Sequence, residues 1–149
     1  MRSVTYLALA LLLAACTDGT PPTPASALDK LAGRQVVINY WAIWCKPCIK
    51  EIPELNQLAL EYPEIAVLGV NYDGLQGDEL KQQLQQLDIQ FPMLDNDPSA
   101  ELGIDRPAVL PTTIILDPDG QVSQVLVGPQ TLDSLARAAG QAAPADNNQ

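Results

Sequence analysis

VVINYWAIWCKPCIKEIPEL, residues 36–55, passes from strand to helix across a pair of cysteines. Val36-Val37-Ile38-Asn39-Tyr40 reads as a buried strand, and Ile49, Ile52, Leu55 and Ala59 then recur at helical spacing. Trp44-Cys45-Lys46-Pro47-Cys48 lies at the junction. There the first thiol meets the unpaired N–H groups and the positive dipole end of a helix, which favour its thiolate. The second lies about one turn on, within reach to close a disulfide and expel a mixed-disulfide partner. Dithiol–disulfide exchange needs this arrangement.

Strand 36–41 leads into the helix after Cys45, with a bend expected at Pro53 because its ring removes an N–H and crowds the preceding turn. Ile65–Val70 is a short apolar run of the buried-strand kind. Leu80, Leu84 and Leu87 mark a second helix opened by Gly77 or Asp78, and Pro98–Leu102 suits a short helical turn. Thr112–Leu116 and Val122–Val127 flank Asp117-Pro118-Asp119-Gly120, where proline presets φ and glycine supplies a positive one. Thr131 caps a last helix carrying Leu132, Leu135 and Ala139. The order β-α-β-α-(short helix)-β-β-α resembles the thioredoxin fold, an α/β class with a central mixed sheet flanked by helices.

The third cysteine belongs to a different segment. Cys16 ends Leu13-Ala14-Ala15-Cys16, after Arg2 and the apolar run Leu7–Ala15. The segment resembles a bacterial lipoprotein signal peptide, which implies cleavage before Cys16 and lipidation of that residue; an ordinary secretory signal cut after Ala15 is the alternative. The run falls far short of the roughly 20 apolar residues that cross a bilayer. On this reading residues 1–15 are signal, 16–27 are the lipidated cysteine and a Pro/Thr-rich tether, 28–142 are one small domain and 143–149 a disordered polar tail. Extended at about 3 Å per residue, Thr17 to Ala27 would hold the domain roughly 30 Å from the lipid. Lipidation would leave one anchor and one redox pair with no odd thiol, in an extracytoplasmic, membrane-attached setting where disulfide chemistry is expected. Which bacterial membrane holds the anchor stays open, since Thr17 and Asp18 give no single sorting signal.

Of 149 residues, 47% are hydrophobic, enough for one core and no second domain. Losing Arg2 with the signal takes the 8 basic residues to 7 against 18 acidic, a net charge of −11. That excludes nucleic-acid binding, which needs a basic surface, and mildly favours neutral or basic protein partners.

INYWAIWCKPCIKEIPEL (38–55) followed by LPTTIILDPDG (110–120) resembles the TlpA/ResA-like branch of the thioredoxin family, over roughly residues 30–140. The resemblance implies an extracytoplasmic, membrane-tethered thiol–disulfide oxidoreductase, without cofactor or metal. Carried over by position, Cys45 is the attacking nucleophile, Cys48 the resolving cysteine and Cys45–Cys48 the redox disulfide. Pro111 is the cis-proline facing them, with Leu110 and Thr112 beside it holding an extended substrate. Glu51, three residues after Cys48, matches the branch's glutamate, an acid/base candidate for the Cys48 proton, unless it is a solvated helix glutamate. Asn39 stands where ordinary thioredoxins bury an aspartate and reads as a strand amide satisfied by backbone. Lys46 either favours the Cys45 thiolate or only sets surface charge, and Pro47 fixes φ in the first helical turn. Trp44 shields the disulfide or contacts substrate; Trp41 is equally suited to core packing. The spare N-terminal strands of the branch have little room here, and Asp105–Val109 is a few residues longer than usual.

The function expected is reduction of protein disulfides, re-supplied with electrons by a DsbD- or CcdA-type membrane donor. Substrates left open are apocytochrome c, copper-site assembly proteins and sulfenylated proteins; a monomer suffices. One alternative is a net oxidant or isomerase, against which Lys-Pro between the cysteines argues. Another is a Cu(I)-handling module, since two thiolates suit that soft ion although the chain contains no histidine. A structural disulfide is disfavoured because so short a loop gains little from closure.

Overall fold

A computed structural model describes residues 26–141. The segment expected to be a signal, Cys16 with its expected lipidation, nearly all of the expected tether and the expected polar tail lie outside the described residues. After a 3₁₀ turn at Asp29–Leu31 come β1 (Val36–Trp41), α1 (Lys46–Glu61), β2 (Ala66–Asn71), α2 (Gly77–Gln86), β3 (Thr112–Leu116), β4 (Val122–Val127) and α3 (Leu132–Ala138).

The four strands form one sheet in the order β2-β1-β3-β4. β1 runs parallel to β2, as a helical crossover requires, and antiparallel to β3. β3 and β4 pair as a hairpin with an irregularity at Ile115/Leu116. The Asp117 carboxylate accepts the N–H groups of Asp119 and Gln121 (3.0 and 2.9 Å), while Gly120 adopts φ +77°. The turn lies where the Asp-Pro-Asp-Gly reading put it, with Gly120 supplying the positive φ.

Period two sorts β1 into opposite faces. Val37 packs with Leu55, Leu58, Ile115 and Leu135 under α1 and α3. Val36, Ile38 and Tyr40 turn to the other face with Ala66, Leu68, Ile114 and Leu116. Among the described residues no α-helix contributes to that second cluster; Leu28, Leu31, Leu94, Leu102, Ile104 and Leu110, from the first turn and the segment before β3, pack against it. A third cluster, Trp41, Ala42, Cys45 and Cys48, closes the end of the sheet against Leu80, Leu84 and Leu87 of α2 and its cap.

Three expectations need adjustment. The short helix at Pro98–Leu102 is a single turn, with Leu102 N–H donating to Pro98 O at 2.9 Å, and nothing continues it because Gly103 turns to φ +67°. The apolar stripe of α1 is rotated: Cys48, Glu51, Ile52, Leu55 and Leu58 are buried, while Ile49 is exposed. Apolar spacing alone misses this, because a carboxylate occupies a position on the buried face. Pro53 lies inside α1, so the proline does not end the helix, which continues from Lys46 to Glu61.

Candidate active site

Cys45 is the N-cap of α1, in extended conformation, and its sulfur accepts the Cys48 backbone N–H at 3.3 Å. The position follows from chain order, since β1 ends at Trp41 and the helix opens five residues later, at Lys46, with Pro47 in its first turn. Cys45 and Cys48 form a disulfide with Cα atoms 5.3 Å apart. Cys45 is 5% exposed and Cys48 1%, so the first sulfur is the better placed to meet another molecule. Lys46 and Pro47 are exposed beside it.

The peptide bond between Leu110 and Pro111 is cis, as the family resemblance implied. Pro111 and Thr112 are buried, and Leu110, half-buried, packs against the Trp41–Cys45–Cys48 cluster. The Thr112 hydroxyl donates to Val109 O at 2.8 Å and fixes the approach to the proline.

Trp41 is a fully buried core residue, whereas Trp44 is 61% exposed. The Trp44 indole N–H is nonetheless held, donating to both Asp73 carboxylate oxygens at 3.1–3.2 Å, and its ring meets Tyr72 edge-on with centroids 6.4 Å apart. Arg106 lies over the other aromatic partner, its guanidinium carbon 3.9 Å from the Tyr72 ring centre. It also donates to the Tyr72 carbonyl and, at 2.8 Å, to Asp97. Tyr72 donates its hydroxyl to Pro107 O at 3.0 Å. The segment before the cis-proline is thus fastened to the loop after β2, on which Trp44 also leans. Asp97 completes the set: burial disfavours its charge, but hydrogen bonds from Ser99, Tyr40 and Arg106 outweigh this and hold its carboxyl below the usual range. Burial, and then Asp97 itself, push the Tyr40 hydroxyl upward, so it stays protonated as a donor to Asp97 at 2.8 Å.

Glu51 is 1% exposed, so it is no solvated helix glutamate. One oxygen accepts the Asn39 side-chain amide at 3.0 Å and the other the Gln130 backbone N–H at 2.9 Å. Burial pushes its carboxyl up to about 7, with those two hydrogen bonds pulling the other way. At i, i+3 from Cys48 it occupies the neighbouring part of the same helix surface.

Asn39 corrects the sequence reading. It is not satisfied by backbone alone: its Nδ2 donates to Glu51 and, at 2.9 Å, to Thr113 Oγ1, while its Oδ1 is buried without a hydrogen-bond partner. Sequence reasoning misread the role of Asn39 and missed Thr113, Gln130 and the Arg106–Tyr72–Asp73 set. The one local signal was a lone amide within an otherwise apolar strand; the partners are remote in sequence.

The AhpC/TSA family matches residues 12–125. A thiol-disulfide oxidoreductase ResA of Bacillus cereus is 36% identical over 112 residues, which make up 72% of this chain and 63% of that protein. The chain therefore spans less than two thirds of the length of the curated relatives it matches. Among solved structures, MTB dsbF in its mixed oxidized and reduced forms superposes with TM-score 0.59 at 30% identity, covering 75% of this chain and 83% of that one. A thiol:disulfide interchange protein of the thioredoxin family from Chlorobium tepidum TLS gives 0.60 at 27%, covering 74% and 81%.

Proposed function

Since this chain belongs to the AhpC/TSA family, in its ResA-like thioredoxin-fold branch, we propose that it is an extracytoplasmic thiol–disulfide oxidoreductase that reduces protein disulfides through Cys45 and Cys48. The observation that carries this reading is the Cys45–Cys48 disulfide at the N-terminus of α1, packed beside the cis-Pro111 segment. In the reduced protein the Cys48 N–H and the helix dipole favour a Cys45 thiolate. That thiolate attacks a substrate disulfide, forming a mixed disulfide and releasing one substrate thiolate. Cys48 then gives up its proton, for which Glu51 is the nearby acceptor, and its thiolate attacks the Cys45 sulfur. The second substrate thiolate leaves and takes up a proton, and two electrons have passed from dithiol to disulfide. Leu110, Pro111 and Thr112 support an extended substrate segment, Trp44 supplies an apolar contact and Lys46 adds positive charge.

The same reading includes lipidation of Cys16, membrane attachment and re-reduction by a DsbD- or CcdA-type donor. The lipobox-like Leu13–Cys16 supports the anchor, and no helix among the described residues is long and apolar enough to cross a membrane. Insulin reduction with dithiothreitol as donor tests the activity, beside a Cu(I) competition titration. Turnover abolished by Cys45→Ala is expected; tight Cu(I) binding without turnover would overturn the assignment. Cys48→Ala expressed in a bacterial host should trap partners as mixed disulfides through Cys45 and name the substrates. Cys16→Ser should abolish lipid attachment, and a wild-type mature protein beginning at Thr17 would refute the anchor.

A further inference from the structure

We propose that Asn39 is a positioning residue for the Glu51 proton, turning its side-chain amide over when Glu51 changes protonation state. The inference rests on the role given above to Glu51 and concerns what lets that carboxyl switch while buried.

Three elements meet at the carboxyl and a fourth reaches it through Asn39. α1 supplies it, β1 presents Asn39, β3 presents Thr113 and the segment before α3 presents the Gln130 N–H. A backbone N–H can only donate, so the Glu51 oxygen bonded to Gln130 must remain an acceptor. The proton therefore belongs on Oε2, which faces Asn39. With Glu51 ionised, Asn39 Nδ2 donates to Oε2 at 3.0 Å and to Thr113 Oγ1 at 2.9 Å. A proton placed on Oε2 would then meet an N–H, donor against donor.

Of the side chains a strand can bury, an amide resolves this most simply, since rotation about its last bond exchanges a donor for an acceptor. Turned over, Asn39 Oδ1 accepts from Glu51 Oε2–H and from the Thr113 hydroxyl, whose rotor is free to reverse. An aspartate at position 39 would instead put a second acid against the first and couple their titrations. A leucine would give neither form a partner. Oδ1 has no hydrogen-bond partner in the ionised arrangement, so turning the amide breaks no bond on that side.

The groups that meet Glu51 or its amide partner from β1, β3 and the segment before α3, namely Asn39, Thr113 and the Gln130 N–H, do not titrate. The titratable neighbours sit on α1 itself: Cys48, held in the disulfide, and Glu54, whose carboxylate accepts the Leu132 N–H at 2.7 Å. Asp133 of α3 and Lys50 of α1 are exposed. Burial, opposed by the Gln130 and Asn39 hydrogen bonds, places the Glu51 midpoint at about 7, within the range where both forms are populated.

The test uses the oxidised protein, labelled with 13C and 15N, titrated by NMR from about pH 4 to 9, a range that brackets the raised carboxyl. The Glu51 carboxyl carbon and the two Asn39 side-chain N–H resonances should move with one shared midpoint. In Asn39→Leu, loss of the donor to the carboxylate should raise the Glu51 midpoint by about one pH unit or more, a tenfold or greater gain in proton affinity. The pH profile of insulin reduction should shift the same way. Asn39 resonances that stay flat while Glu51 titrates would overturn the proposal, as would an unchanged Glu51 midpoint in Asn39→Leu. The wild-type measurement stands even if the variant fails to fold. It also separates the two claims, because linked titration in a protein without reductase activity would refute the redox reading and leave the proton coupling in place.

Discussion

At the residue scale the two sulfurs and one carboxyl carry the chemistry, and each makes a checkable difference. Alkylation of the reduced protein near neutral pH should strike Cys45 well before Cys48, because Cys45 is the N-cap with a donated N–H and Cys48 is the more buried. Peptide mapping after a short iodoacetamide pulse reads the ratio, and equal labelling would remove the basis for calling Cys45 the nucleophile. For Glu51 the sign follows from its raised midpoint. The unfolded carboxyl titrates near 4.5 and the folded one near 7, so folding favours the protonated form. That stabilisation is fully present below about 4.5 and lost as pH rises through about 7, to the extent of roughly 3 kcal/mol. Glu51→Gln, neutral throughout, should escape this loss, so oxidised wild type and variant should diverge in urea unfolding between about pH 4.5 and 8. Parallel curves would mean that Glu51 does not titrate there. The cysteines, Pro111 and Glu51 were legible because local motifs place them. Asn39, Thr113 and Gln130 were not, since their bonds span 12 to 79 residues and leave no local pattern.

Elements matter through how they are fastened near the site. α3 has only seven residues, too few to be stable alone, and its start is secured by side chains from two elements. Thr131 and Ser134 form a capping box, while Glu51 and Glu54 of α1 accept the N–H groups of Gln130 and Leu132 on either side of the cap. Thr131→Ala should cost about 1 kcal/mol. Glu54→Ala should cost about 1–3 kcal/mol, as expected when a part-buried N–H loses its acceptor. Denaturant unfolding at about pH 8, where carboxylates are ionised, measures both. The loop before β3 is fastened differently, by Arg106 against Tyr72 and Asp97. Arg106→Ala should lower stability by about 1–2 kcal/mol, since the pair is only partly buried. Its larger effect should be a several-fold rise in KM for protein substrates, with Trp44 fluorescence altered and Cys45 alkylation unchanged. A stability loss without a change in KM would assign Arg106 to folding alone. The strands and the hairpin turn were readable because period and turn chemistry are local. The fastening of 105–110 was not, although the segment's length marked it as unusual.

For the whole molecule, the balance between dithiol and disulfide is a statement about folding stability. Whichever redox form the fold prefers is favoured in the unfolding equilibrium by the same free energy that sets the potential, with about 1.4 kcal/mol for every 30 mV. A strong oxidant stabilises its reduced form by holding the attacking thiolate tightly, as DsbA does at a potential of about −120 mV. Here the stabilisers of a Cys45 thiolate are one N–H at 3.3 Å, the helix terminus and the adjacent Lys46; no histidine exists in the chain. The other charges work against it, for the whole sequence carries −10 and Glu51, one turn beyond Cys48, gains negative charge as pH rises. The oxidised protein should therefore be the more stable form. Its potential against a glutathione buffer should lie at or below about −220 mV, on the thioredoxin side of the scale. Two measurements check each other: the potential, and the difference in denaturant unfolding between oxidised and reduced protein near neutral pH. A reduced form more stable than the oxidised one, together with a potential of about −120 mV, would make this protein a net oxidant and reverse the direction assigned to Cys45 and Cys48.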